Sequence, residues 1–274
     1  MKKLKGRHVM LSVFMFGAVV VVGFPLYYIV VNTFKTQRET VANPLGLPTS
    51  LYLGNYIDVF ESVPLVQVFS NTLYVTVLAI VLQLLVGSMA AYSMIMRHTL
   101  LNRVLGVVLL IAFVVPAQST LIPLYRVFVG FKLVDNLNGL VILYAAGSVF
   151  CYFIIQGYMK TLPYEIIEAA RIDGASASQI YWRVVLPLIR PILVTVGVFQ
   201  TMWVWNDFVF PTVFISSPDK QTIVLQIYAA VGEFATNWPA FMTLTVIALI
   251  PMVVFFVFAQ RHIVSGLVSG SVKG

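Results

Sequence analysis

Charge is the scarcest feature of this sequence: 10% of its 274 residues are Asp, Glu, Lys or Arg, against 60% that are hydrophobic. Soluble domains carry about 25% charged residues. The deficit excludes a water-soluble globular domain and predicts an integral membrane protein. Cysteine is nearly absent. Cys151 stands alone, so neither an intrachain disulfide nor a cysteine metal cluster can form. Its apolar setting is that of a small packing residue. No Gly-x-x-x-x-Gly-Lys-Ser/Thr loop occurs, and the glycines and lysine of Gly266–Gly274 have the wrong spacing for one. A His-Glu-x-x-His zinc motif and a nucleophile elbow are also missing. The sequence therefore offers no catalytic residue, no metal site and no cofactor to assign.

What remains is a series of long apolar runs. Segments of about 20 residues favour helices over a barrel, whose strands are shorter and alternate. Spans are predicted at about 9–31, 69–95, 105–124, 140–156, 192–214 and 240–258. The fold class is an all-α polytopic membrane protein with about six transmembrane helices. Residues 1–8 form a short N-terminus, 9–260 a single transmembrane domain and 261–274 a Gly/Ser-rich tail. The first run is too long for a signal peptide and lacks a small-x-small cleavage site, so it is read as an uncleaved span. A turn-rich loop follows it, with a short amphipathic helix near Leu53–Phe60. Pro25, Pro116, Pro123 and Pro211 are kink candidates, as compatible with static bends as with moving ones.

Six spans put both termini on one side of the membrane, and the basic residues indicate which. One set of loops holds Lys2, Lys3, Lys5, Arg7, Arg97, Arg103, Lys160, Arg171, Arg183, Arg190, Arg261 and Lys273; the other holds only Lys35, Arg38, Arg126, Lys132 and Lys220. Basic residues collect on the cytoplasmic side, which predicts cytoplasmic termini. The net charge of +7 is explained in this way and does not imply nucleic acid. His8, His98 and His262 fall on the inner side and carry no assigned chemistry.

One polar stretch, about 157–190, interrupts the apolar pattern and must lie outside the bilayer core. Pro163 can open a short helix with Glu165 and Glu168 near its positive end. Gly174 can end it in the left-handed conformation. Ser176-Ala177-Ser178-Gln179 fits a capping box for a second helix, expected to stop at Leu186 before Pro187. Ala169, Ala170, Gly174 and Ala175 leave the bend with little bulk, a form suited to docking in a groove of another protein. The run Glu168-Ala169-Ala170-x-x-Asp173-Gly174-Ala175, followed after a spacer by Leu186-Pro187, resembles the cytoplasmic coupling loop of bacterial ABC-importer permeases. In that family the loop docks on the ATP-hydrolysing subunit.

Two further stretches resemble the carbohydrate branch of that family, related to the maltose system. One is Trp205-Asn206-Asp207-Phe208 and the other is the tail from Gln260-Arg261 to Lys273-Gly274. Aromatic faces beside amide and carboxylate groups suit sugars. Asp207 is the only acid within an apolar span. It is open to two readings, a functional group or a polar break near the outer surface paired with a neighbouring helix. Gln118 and Gln200, with Asn71, Gln83, Ser119, Thr120 and Gln156, could line a substrate path or hydrogen-bond between helices. The resemblance implies a permease subunit of the bacterial cytoplasmic (inner) membrane, with ATP and Mg on separate ABC ATPase subunits. It also implies a second homologous permease subunit and an extracytoplasmic solute-binding protein. The competing class is an ion-coupled secondary transporter using Asp207. Sugar, polyol and glycerophosphodiester-like cargo all remain open.

Overall fold

The computed structural model of the chain describes residues 2–96, 99–233 and 237–271, except for the side chains of residues 2–9, 233 and 262–271. Arg97, His98, Lys273 and the end of the tail lie outside the described residues, as do the side chains of Lys2, Lys3, Lys5, Arg7, His8 and His262. The regular structure of the described residues is all helical, with no strand. In order they form α1 (Lys2–Asn32), α2 (Gln37–Ala42), α3 (Gly54–Ser62), α4 (Leu65–Met96), α5 (Leu100–Val114), α6 (Leu121–Gly130), α7 (Leu137–Ala145) and α8 (Ser148–Met159). There follow α9 (Glu165–Ile172), α10 (Ala177–Ile180), α11 (Leu186–Leu188), α12 (Arg190–Trp205), α13 (Val209–Phe214), α14 (Ile223–Glu233) and α15 (Trp238–Ser271). Short 3-10 turns cover Ala117–Thr120 and Pro218–Lys220, and a π-helical turn covers Tyr181–Val185.

Four segments are long and apolar enough to cross a membrane: Met10–Asn32, Leu65–Met96, Leu137–Met159 and Trp238–Arg261. Two bent pairs bring the number to six if each counts as one span. The first bend falls inside an expected span; the second, of 73° between Leu188 and Arg190, falls where the polar stretch was expected to end. The third span, expected at about 105–124 with Pro116 and Pro123 as kink candidates, turns by 94° between Leu100–Val114 and Ala117–Gly130. The break lies at Pro116, whose ring disfavours helical geometry in the residue before it; Val115 accordingly has ψ 122°. Pro123, already within the first turn of α6, breaks nothing, and Pro25 lies inside a continuous α1. The fifth span, expected to reach 214, ends at Trp205, and α13 starts only at Val209. At the other extreme, α15 continues to Ser271, so the stretch read as a tail is helical over its described length.

The chain divides into two compact units. The first comprises Met1–Leu65 and Gln226–Pro251. Its turn-rich loop is knotted by side-chain amides. Asn32 Nδ2 donates to Tyr28 O and Pro44 O, and Asn55 Nδ2 to Thr33 O and Lys35 O. Lys35, counted above among the loop cations, is fully buried and donates from Nζ to Asn43 O at 2.8 Å. The second unit comprises Val66–Leu225 and Met252–Gly274 and holds two core clusters. One gathers Ala91, Tyr92, Cys151, Ile155, Ile180, Tyr181 and Val185 around the 157–190 stretch. The other gathers Val75, Phe128, Leu140, Tyr144, Phe210 and Phe214.

Candidate functional site

The 157–190 stretch is a rigid knuckle. Glu165 and Glu168 sit in the first turn of α9 and Arg171 in its last, each matching the helix dipole. The helix ends in a Schellman motif: Gly174 N donates to Arg171 O and Ala175 N to Ala170 O, both at 3.0 Å. Gly174 has φ +78°, the left-handed conformation its position demands. The capping box at Ser176 is complete. Gln179 N donates to Ser176 Oγ at 3.3 Å, and Ser176 N donates to Gln179 Oε1 at 2.8 Å. The second helix, however, does not stop before Pro187. Proline offers no N–H one turn back and crowds that turn. The chain widens instead into the π turn, where Leu186 N reaches Tyr181 O, and then runs on through α11.

One side of the knuckle is anchored. Ile167, Ile180, Tyr181 and Val185 are buried, and Ala170, Ala175 and Leu186 pack against the same cluster. Three hydrogen bonds hold it to α4: Tyr92 Oη donates to Ala177 O at 3.0 Å, the Ser88 and Tyr181 hydroxyls pair at 2.7 Å, and Arg171 Nη2 donates to Met96 Sδ at 3.4 Å. The other side is open. Glu168, Ala169, Asp173, Gly174 and Pro187 are exposed. Ile172 at the tip is 85% exposed, and a Cβ built on Gly174 would meet nothing within 4 Å. Ser88, Tyr92 and Tyr181 were missed in the sequence reading. The available signal was Ser88 and Tyr92, four residues apart and so on one face of an apolar helix.

A second arrangement joins residues expected to line a path. Gln200 Nε2 on α12 donates to Gln83 Oε1 on α4 at 2.8 Å, and Gln83 Nε2 donates to Tyr144 O on α7 at 2.7 Å. Tyr144 Oη in turn donates to Asp207 Oδ2 at 2.7 Å. The same carboxylate accepts Val209 N at 3.1 Å and Phe210 N at 3.2 Å, and so caps α13. Asp207 therefore occupies the break between α12 and α13, paired with a neighbouring helix. Asn206 Nδ2 folds back to Met202 O at 2.7 Å. Trp205 is buried, its ring 6.5 Å from that of Phe69. Gln118 is not drawn into this chain; it is exposed on the 3-10 turn after Pro116. Tyr144 and Gly147 had no sequence signal. A Cβ on Gly147 would come within 2.6 Å of Gln83 Nε2 and 2.7 Å of Gln200 Nε2, so glycine is what lets the two amides meet.

At the opposite end of this unit, Asp135 ties two loops together. Its carboxylate accepts the hydroxyl of Ser217, the backbone N–H of Ser217 and Ser216, and Lys220 Nζ at 2.9 Å. These donors, the Ser217 hydroxyl foremost, hold its carboxyl well below the usual carboxylate range. Among the described residues no group of His, Cys, Asp and Glu could hold a metal.

The chain has curated relatives over nearly its whole length. It is 36% identical to the probable starch degradation products transport system permease protein AmyC of Thermoanaerobacterium thermosulfurigenes, over 91% of each chain. It is 31% identical to the melibiose/raffinose/stachyose import permease protein MelC of Bacillus subtilis, over 90% of this chain and 91% of that one. Its fold matches a chain from the crystal structure of a bacterial ABC transporter that imports the acidic polysaccharide alginate. The TM-score is 0.83 at 22% identity, over 95% of this chain and 98% of that one. Residues 83–269 match the family described as the binding-protein-dependent transport system inner membrane component, and the chain belongs to that family.

Proposed function

We propose that this inner membrane component forms half of the translocation path of an importer for a sugar or sugar-like solute. The 157–190 knuckle couples it to a separate ATPase. A second, homologous permease chain supplies the other half of the path, and an external solute-binding protein delivers the cargo. ATP and Mg belong to the ATPase. The distribution of Lys and Arg supports a cytoplasmic position for both termini and for the knuckle. The named solutes of the two relatives support the sugar class.

The build of the knuckle carries the reading. It is anchored on one side by buried apolar residues and hydrogen bonds to α4, and on the other it offers a rigid turn with an exposed Ile172. In this reading ATP-driven closure of the ATPase dimer pulls on the turn. α9 to α11 pass the movement to α8 and α12, which enter and leave the loop, and the path switches from inward-open to outward-open. Glu168, Asp173 and Gly174 act mechanically and as docking residues.

The test is to purify the tagged chain from its host and measure substrate-stimulated ATP hydrolysis. An ATPase and a second permease should co-purify in near-equal amounts. Gly174→Val forces a branched residue into the left-handed region, a strain of about 1–2 kcal/mol, and should cut the stimulation about tenfold. Near-normal stimulation in that variant, or transport by the chain reconstituted alone, would overturn the proposal.

A further inference from the structure

At the knuckle end of the second unit lies a cavity of about 370 Å³ that none of the roles above uses. Its walls come from the end of α4, the start of α5 and the second half of α8. Among the described residues, Arg103 is the one charged side chain lining it. Three of its donors, on Tyr152, Thr99 and Arg103, set its chemistry. Tyr152 is buried at 3% exposure, and its hydroxyl accepts Gln156 Nε2 at 2.8 Å. The phenolic proton has no acceptor among the described residues. Thr99 Oγ1 accepts Asn102 N at 3.2 Å, which leaves its own proton unassigned. The Arg103 guanidinium likewise has no acceptor among the described residues.

We propose that this cavity binds the phosphate of a phospholipid headgroup in the cytoplasmic leaflet. A ligand here must be anionic and rich in acceptors, and a guanidinium fork fits a phosphate in bidentate fashion. Basic pockets between transmembrane helices on the cytoplasmic side have the right chemistry for such headgroups. The rest of a lipid has somewhere to go. Met94 forms an apolar edge of the cavity, and α5 carries no buried residue beyond it, with Val107 53% and Ile111 60% exposed. That is an apolar track for an acyl chain running from the headgroup toward the bilayer centre. The assignment rests on the proposed orientation, in which the knuckle end faces the cytoplasm.

The experiment uses the full chain with whatever subunits co-purify, delipidated in mild detergent and titrated with phosphatidylglycerol or phosphatidylcholine. Retained lipid is counted by native mass spectrometry. Wild type should keep phosphatidylglycerol in preference to phosphatidylcholine. Arg103→Gln should lose that preference about tenfold, the worth of a charged hydrogen bond. Tyr152→Phe should lose part of it, Arg103→Lys, which keeps the charge but not the fork, should keep part of it, and Arg126→Gln, distant along the chain, should change nothing. Equal retention by wild type and Arg103→Gln overturns the site. If Arg103→Gln does not fold, equal retention by wild type and Tyr152→Phe does the same. Occupancy by inorganic phosphate with no lipid retained makes it a soluble-anion site and overturns the lipid assignment. Because the readout needs no transport, a chain that transports but retains no lipid defeats this site and leaves the importer reading intact.

Discussion

Asp207 illustrates how one side chain acquires its meaning from its neighbours. A carboxylate in an apolar run is open to a proton-coupling role. Here its oxygens take the Tyr144 hydroxyl and two N–H groups of α13. Its work is to stop one helix, start the next and hold both to α7. Tyr144→Phe and Asp207→Asn should each lower thermal stability. Together they should cost less than the sum of the two, with a coupling of about 1–2 kcal/mol for a hydrogen bond to a charged group. Thermal unfolding of the single and double variants measures this. Fully additive losses would mean that the pair does not interact. Asp207 as an ionisable group was visible in the sequence. Its partner was not, because Tyr144 is 63 residues away and one tyrosine among 13.

At the scale of an element, the knuckle shows how much local chemistry can specify. The Schellman turn at Gly174 and the capping box at Ser176 are built from bonds within six residues, so both could be read from the residue order. The continuation through Pro187 could not. It depends on a π turn whose Tyr181 and Val185 are pinned by a core contributed from α4 and α8. The same dependence makes a prediction. Tyr92→Phe removes the hydroxyl that holds Ala177 O, at a cost of about 1 kcal/mol. Amide hydrogen exchange across Glu165–Ile180 should then speed up about fivefold, while exchange in α12 stays unchanged. An equal acceleration in α12 would mean that the bond supports the whole unit and not the knuckle. The bend at Pro116 follows the same logic. Proline marked the place, but the residue order did not say whether the chain would turn by 94° or kink gently.

For the molecule as a whole, acid provides a probe. The depressed carboxyl of Asp135 contributes stability above its unfolded value of about 3.9, and this contribution is lost as pH falls through the folded value. Stability from this tie should therefore be constant from neutral pH down to about pH 4 and decline below it. Asp135→Asn should lower Tm by a few degrees near neutral pH and flatten the decline in acid. A Tm unchanged at neutral pH would show that the contact with Lys220 and Ser217 holds nothing. Membership in the importer family is a property at this scale too, since it rests on 36% identity and a shared fold along nearly the full chain.

By itself the sequence determined that the chain lives in a membrane, that its runs are helical, where the polar knuckle lies and how its turn is made. These follow from hydropathy, helix periodicity and hydrogen bonds between near neighbours, all of which act over a few residues. The tertiary structure alone decided where two spans break, that Lys35 is buried, and that Gln200, Gln83, Tyr144 and Asp207 form one chain of hydrogen bonds. It likewise decided that Arg103, Tyr152 and Thr99 share a cavity. Each of these depends on which helix faces are pressed together, and a lone polar residue in an apolar helix finds its partner only once another helix supplies one.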